Sequence, residues 1–363
     1  MFFPDYLPLS LTRLALAPVL LGLAAGPWGR AGEAQFNNRG NVLIADRANN
    51  RVIEVDPQQH IVWQFGDGGT MPGASSIVAP SDAERIGGLT FICGTGAPAG
   101  AQPGCPLGCP DNRVIAVDST GTIVWQYGQA GVFGSGDNEL NQPVCAVLLH
   151  GNEVLITDQG NQRVILVDWN GNLLWQYGMS GMPGSGPNQL NQPASAHQLR
   201  NGHVLIADTG NNRVIEVAPQ ADRLGGAGQI VWEYGHDSKT GCPLNGPCFA
   251  SRLHGGNTLI ADTGNNRVVE VTSAGQMIWL YSTKTRPGSV ANPLPTRAVR
   301  LRNGHTLISD QFNQQVIEVT PAKDLVYAYG TIGHPMASGL GLNGPHDAKA
   351  IGDFNGLPTP CPE

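Results

Sequence analysis

Basic side chains are scarce in this sequence. Lysine and arginine number 21 against 28 aspartates and glutamates, for a net charge of −7, with no long basic run. A sequence-independent grip on phosphate backbones needs clustered Lys and Arg, so nucleic acid is excluded as a partner. Long apolar runs are missing too. The N-terminal one, Leu14 to Gly26 (LALAPVLLGLAAG), falls short of the roughly 20 residues a membrane-spanning helix requires, and no transmembrane span is expected. There is no HExxH, no pair of CxxC elements and no CxxCH. Those absences remove the spacings of zinc hydrolases, zinc modules and covalent haem. Helical periodicity is absent between the apolar stretches.

What is abundant is glycine and proline, 49 and 27 residues, scattered between short apolar runs as turns. Hydrophobic residues make up 41%, enough for a core and against disorder. At the N-terminus Arg13, the apolar run and a small-residue stretch ending near Ala34 follow the order of a secretory signal. Residues 1–34 are therefore expected to be a signal peptide or an N-terminal arm, and the protein to be secreted or periplasmic.

The rest is a repeat. NGHVLIADTGNNRVIEV from Asn201 has counterparts at Gly40, Gly151, Gly256 and Asn303, and a sixth copy split between Leu89–Cys93 and Asp111–Val117. Each is followed by a strand of the type IVWQYG. A spacing P-x-x-A-x-x-[LI] occurs at Pro80, Pro143, Pro193, Pro247, Pro295 and Pro345. Its last copy has no unit after it, and the unit at Gly40 has none before it. Four β-rich runs per repeat of about 50 residues predict propeller blades. The chain is therefore expected to be an all-β, six-bladed β-propeller of four-stranded blades over residues 36–356. The C-terminal strand at 345–351 completes the first blade, and 357–363 form a tail.

Residues present in every blade should serve the scaffold. Asp46, Asp158, Asp208 and Asp262 each precede an Arg by five positions, across a turn of TGNN type. In blade six Asp310 is followed by Gln315 instead, so its pairing must differ. Trp63, Trp125, Trp175, Trp232 and Trp279, with Tyr327 in the sixth place, are sized to fill the wedges between blades.

The unit [VI]LIADTGNNRVIEV followed by GxxxWxYG closely resembles NHL-type propeller repeats over nearly everything after residue 36. That resemblance implies the fold; such propellers include binding modules, sensors and several enzymes. The GxxxW segments, as at Gly171–Trp175, also look like the tryptophan-docking repeats of quinoprotein propellers, which usually have eight blades and a cofactor site. AHQLRNGHVLIAD from Ala196 and PHDA from Pro345 are similar to arylsulfotransferase-like propellers, whose channel histidines carry a sulfuryl group. By resemblance, His346 matches that family's His-Asp-Ala element and His197 matches more loosely.

Function should sit where the blades differ. Residues 94–110 interrupt blade two with a Gly/Pro/Cys-rich loop, on the rim shared by D-to-A and B-to-C connections. At the start of strand A the blades present Asp82, Cys145, Ser195, Phe249, Arg297 and Asp347, and two positions on Glu84, Val147, His197, Ser251, Val299 and Lys349. With Arg85, Arg252 and Arg300 nearby, a mixed polar mouth around the channel is expected, suited to a small anion, a sugar or a peptide end. No cofactor is predicted, although Asp82 and Asp347 leave room for Ca²⁺. Among the seven cysteines, Cys105 with Cys109, Cys242 with Cys248, and Cys93 with Cys145 form candidate bridges and leave Cys361 over. Six cysteines already allow 15 pairings. The expected function is a binding or assembly scaffold for a protein, a glycan, a small anion or further copies of itself. The alternative is an arylsulfotransferase-like enzyme using His346, helped by His197, with Arg297 or Arg300 on the anion.

Overall fold

The computed structural model describes residues 36–219, 228–235, 243–336 and 341–353. They form six four-stranded antiparallel sheets in a ring, one per repeat. Blade one takes strand A from the C-terminus (Pro345–Ala350), followed by Val42–Asp46, Arg51–Val55 and Ile61–Phe65. Val42 faces Ala350 and Ile44 faces Ala348, so the ring closes as the orphan copy of the proline element requires. Strands A of the other blades are Pro80–Ile86, Pro143–Leu149, Ser195–Gln198, Phe249–Arg252 and Pro295–Arg300.

Burial follows from this stacking. Each blade packs face to face on two neighbours, so strands B and C are buried on both sides and read as continuous apolar runs such as VLIAD and RVIEV. Strand D is the outer edge and alternates instead, as in Ile123–Tyr127. The alanine recurring in strand A (Ala83, Ala146, Ala196, Ala250, Ala298, Ala348) is buried in all six blades, where space near the axis is narrowest.

Two devices repeat round the ring. The strand-B aspartate holds its Arg and also the preceding D-to-A loop. Asp46 Oδ2 accepts from Arg51 Nε at 2.8 Å, while Oδ1 accepts from Asn343 N at 2.7 Å. Asp158, Asp208 and Asp262 do the same. In blade six, which lacks the Arg, Arg286 arrives from the preceding loop and bonds Asp310 at 2.5 Å and Gln315 at 2.9 Å. The second device was not foreseen. The residue before strand C is left-handed in every blade, with φ from 51° at Asn50 to 62° at Asn112. Its side-chain oxygen accepts a backbone N–H at the head of the next blade, as Asn50 does from Ala79 at 2.8 Å and Gln314 from Gly344 at 2.6 Å. Asn tolerates this conformation better than most residues, which accounts for the recurring NN dipeptide. Directly after strand D, Gly66, Gly128, Gly178, Gly235 and Gly330 have positive φ, and a Cβ there would collide with the same residue's carbonyl oxygen.

The tryptophans fill the wedges as expected. Each of four also donates its indole N–H to the C-to-D turn of the next blade: Trp63 to Ser119, Trp125 to Trp169, Trp232 to Ser273 and Trp279 to Pro321, at 2.9–3.2 Å. Cys105 and Cys109 are joined by a disulfide. The expected Cys93–Cys145 bridge is not formed: both thiols are free and buried. They pack into different inter-blade cores, Cys93 between blades two and three and Cys145 between three and four, with the third sheet between them. Cys248 is half-buried, and its expected partner Cys242 lies outside the described residues, as do Cys361, the N-terminal segment 1–35 and the C-terminal residues 354–363.

Candidate functional site

Strand A of each blade lines the axis, and alternation decides which side chains meet there. Asp82, Arg297 and Asp347 share one level, with Lys349 and Glu84 on the next, and they form one buried ionic cluster. Arg297 donates from Nε to Asp347 and from Nη2 to Asp82. Lys349 Nζ lies 2.7 Å from Asp82 and 3.0 Å from Asp347. The carboxylates also hold the neighbouring blade: Asp347 accepts from Ala83 N at 3.0 Å and Asp82 from Ala146 N at 2.9 Å. Asp82 and Asp347 are balanced by Arg297 and Lys349, leaving Glu84 over, and the cluster ties blades six, one, two and three together.

The remaining blades join through ring contacts. The Arg297 guanidinium lies 4.1 Å from the centre of the Phe249 ring, and His197 meets the same ring edge-on at 5.1 Å. Burial alone would raise the Asp82 pKa, but Lys349 and Arg297 hold it well below the usual carboxylate range. Glu84, pushed up to about 7 by burial against the pull of Lys349, is the least compensated charge. Burial, reinforced by Arg297 and Lys349, keeps His197 neutral with its pKa well below the ordinary value. Its Nδ1, Glu84 Oε2, Arg297 Nη1, and the hydroxyls of Ser195 and Ser251 are buried without a hydrogen-bond partner. Such groups are ordinarily served by internal water or a ligand.

Several expected site residues are placed differently. Rather than standing at a solvent-facing mouth, Asp82, Glu84, Ser195, Phe249, Arg297, Asp347 and Lys349 are all buried. Lys349 and Arg297 occupy the cationic positions beside Asp82 and Asp347 that had left room for Ca²⁺. Among the described residues no group of three metal-ligating side chains comes together. Arg85, Arg252 and Arg300 do not face the channel at all. Alternation puts them on the alanine side of strand A, in the wedge behind, where each pairs with the strand-C glutamate of the preceding blade. Arg85 lies 3.1 Å from Glu54, Arg252 2.7 Å from Glu216 and Arg300 2.9 Å from Glu270. Each guanidinium also lies over that blade's tryptophan, at 4.9, 4.7 and 5.4 Å.

His346 and His197 belong to blades one and four, on opposite sides of the ring. His346 Nδ1 donates to the Ser81 carbonyl at 2.7 Å, and burial together with Arg47 drops its pKa to about 3. Both are neutral imidazoles, and both feel the charges of Arg297 and Asp347.

The D-to-A and B-to-C rim is a different surface. The insertion is stapled by Cys105–Cys109, paired between Ala97 and Cys109, and reaches Arg47 through Gln102 Nε2 at 3.3 Å. At its tip Leu107 is 93% exposed. Successive D-to-A loops expose Met71 at 76%, Phe133 at 72% and Met182 at 55%, and Met336 and Phe312 join them. Val132 and Met179 in the same loops are exposed as well; among the described residues, the connections of the opposite rim expose no large apolar side chain, and the others lie on strand D. The recurring loop GxxGxxGSG was legible in the sequence, but its apolar residues could have been core.

The sequence pattern of one protein family, described as outer membrane protein assembly factor BamB, matches residues 109–224. No curated protein is similar to this chain in sequence. Among solved structures, a protein of unknown function from Bacteroides caccae is 14% identical, with a TM-score of 0.55 over 80% of this chain and 93% of its own. A chain of a nidogen/laminin complex is 10% identical, with a TM-score of 0.50 over 79% and 92%. A streptogramin B lyase is 15% identical over 70% of each chain, with a TM-score of 0.46. At such identities the first two likenesses show the fold: this chain is a β-propeller.

Proposed function

We propose that the protein is an exported scaffold that binds a protein partner, or assembles with one, through its D-to-A and B-to-C rim. The carrying observation is the crown of exposed Met71, Leu107, Phe133, Met182, Phe312 and Met336 on that rim, with no counterpart among the described connections of the opposite rim. Exposed apolar groups gathered on one face mark interaction surfaces, and methionine adapts its shape to irregular partners. A glycan or a small anion would call for exposed hydrogen-bonding or basic groups, whereas the charged residues are buried at the axis. Export is supported by the signal-like N-terminus and by the Cys105–Cys109 disulfide, which suits an oxidising compartment. The partial match to an outer membrane assembly factor and the NHL-like repeat agree with a scaffold role.

Group transfer is not favoured. Arg297 is committed to two carboxylates, Arg300 lies in a wedge with Glu270, and the two histidines stand in opposite blades. The scaffold reading is tested by a fourfold variant, Met71→Ser, Phe133→Ser, Met182→Ser and Met336→Ser. Native protein in an envelope extract should run as a larger, defined complex on size-exclusion chromatography, and the folded variant at its own mass. If both run at monomer mass, or both in the same complex, the rim is not the binding face.

A further inference from the structure

The wedge between blades three and four breaks the pattern of its neighbours. Three wedges are filled by an arginine, a glutamate and a tryptophan, as described for Arg85, Arg252 and Arg300. Between blades two and three the arginine position is Leu148 and the glutamate position Ala116, and Trp169 fills the space by stacking on Trp125 at 5.3 Å. Between blades six and one, Tyr327 and Ile61 pack into the core. Between three and four the arginine position is Gln198 and the glutamate position is Leu166, and among the described residues nothing takes up the missing volume. A cavity of about 330 Å³ is left, lined by Leu149, Leu155, Leu166, Val204, Gln198 and Trp175. It lies on the A-to-B side of the ring, by the turn at Asn201–His203.

Trp175 supplies a second, independent observation. Its indole N–H is buried and has no hydrogen-bond partner, although the side chain is only 4% exposed. The equivalent N–H in four other blades is bonded to a carbonyl of the next blade's turn. The position equivalent to those acceptors is Pro219, which borders the same cavity without receiving the bond. Leaving a buried donor unpaired is costly, so an acceptor delivered from outside would be favoured there.

We propose that this wedge is a binding site for a neutral, flat, apolar molecule carrying one carbonyl oxygen. The leucines and Val204 take its hydrocarbon face, and Trp175 Nε1 donates to the carbonyl. Of the lining residues only His203 can carry charge, and its Nδ1 is already bonded to Glu216 Oε1 at 2.7 Å. A neutral ligand is therefore selected. The volume lies within the range of small-molecule sites, about 300–1,000 Å³, and the site is distinct from the apolar rim.

The probe is prodan, a neutral naphthyl ketone whose emission shifts to the blue in apolar surroundings, titrated into the full-length protein. One saturable site with blue-shifted emission, displaced by 2-acetonaphthalene, is expected. The double variant Leu166→Glu with Gln198→Arg installs the clamp present in three other wedges and fills the cavity. It should keep the thermal midpoint and lose binding by at least about tenfold, on the order of one hot-spot contact. Trp175→Phe keeps an aromatic wall, removes the donor and trims the ring system. It should weaken prodan about threefold to tenfold, as for one hydrogen bond, and weaken naphthalene less. The fourfold serine variant of the rim should bind prodan as the native protein does. Absence of a saturable site, undiminished binding in the clamp variant, an equal effect of Trp175→Phe on naphthalene, or loss of binding in the rim variant would each overturn the proposal.

Discussion

The axis and the rim of this propeller treat their side chains in opposite ways. At the axis, charged groups are buried and consumed by one another: Arg297 and Lys349 answer Asp82 and Asp347, and the carboxylates also hold the next blade. At the D-to-A rim, apolar groups that could have packed inside are left in solvent. The polar residues that look functional in sequence are thus buried at the axis, and the apolar ones that look structural are exposed on the rim. Substitutions at the two places should accordingly produce opposite phenotypes.

The largest effect is expected at the axis. Arg297→Met would leave two buried aspartates facing Lys349 alone, and breaking a buried ion network typically costs about 3–5 kcal/mol. Scanning calorimetry should show a clear fall in thermal midpoint, and replacing Asp82 and Asp347 by Asn in the same chain should recover part of it. An unchanged midpoint would mean that the cluster does not hold the ring.

Next comes Glu84. Its folded pKa of about 7 lies above the ordinary value of 4.5. The folded state therefore binds the proton more tightly than the unfolded one. The resulting stabilisation is full below pH 4.5 and is lost as the pH rises through 7. Glu84→Gln should match the native protein near pH 4.5 and exceed it at pH 8, by on the order of 3 kcal/mol. His346 has the opposite sign, since its folded value of about 3 lies below 6.5, so its contribution is full above pH 6.5 and is lost as the pH falls towards 3. It is common to both proteins and cancels in their difference. An equal gap at both pH values would contradict the assignment.

A smaller loss is expected in the wedges. Arg252→Ala removes a partly buried pair with Glu216 and a guanidinium over Trp232, together worth about 1–2 kcal/mol. Its effect should be well below that of Arg297→Met, and a larger one would make the wedge rather than the axis the main tie. Smallest of all for stability are the four serine substitutions on the rim, where surface changes typically stay within about 0.5 kcal/mol.

The sequence carried the repeat, the closing strand, the Cys105–Cys109 loop and the wedge tryptophans, because each rests on local spacing. It also carried the departure at Gln315, though not the answer, since Arg286 lies in a loop with no repeat to align it. The axial cluster was legible only as a set of residues at equivalent positions. Nothing local says that Arg297 meets Asp82, more than 200 residues away in sequence. The misplacement of Arg85, Arg252 and Arg300 was avoidable. A side chain five positions after the proline shares the face of the alanine at three, and so turns away from the residues at two and four. The rim was hidden for a different reason: exposure of Met71 or Phe133 depends on loop conformation rather than on composition.

The claim that the rim is the working surface is tested most directly by site-specific photocrosslinking in intact cells. A benzophenone side chain would replace Phe133 on the rim in one protein and Val326 on strand D in another, both exposed. The account predicts a discrete crosslinked protein from position 133 and none from position 326. The same product from both positions, or a product from position 326 alone, would contradict it.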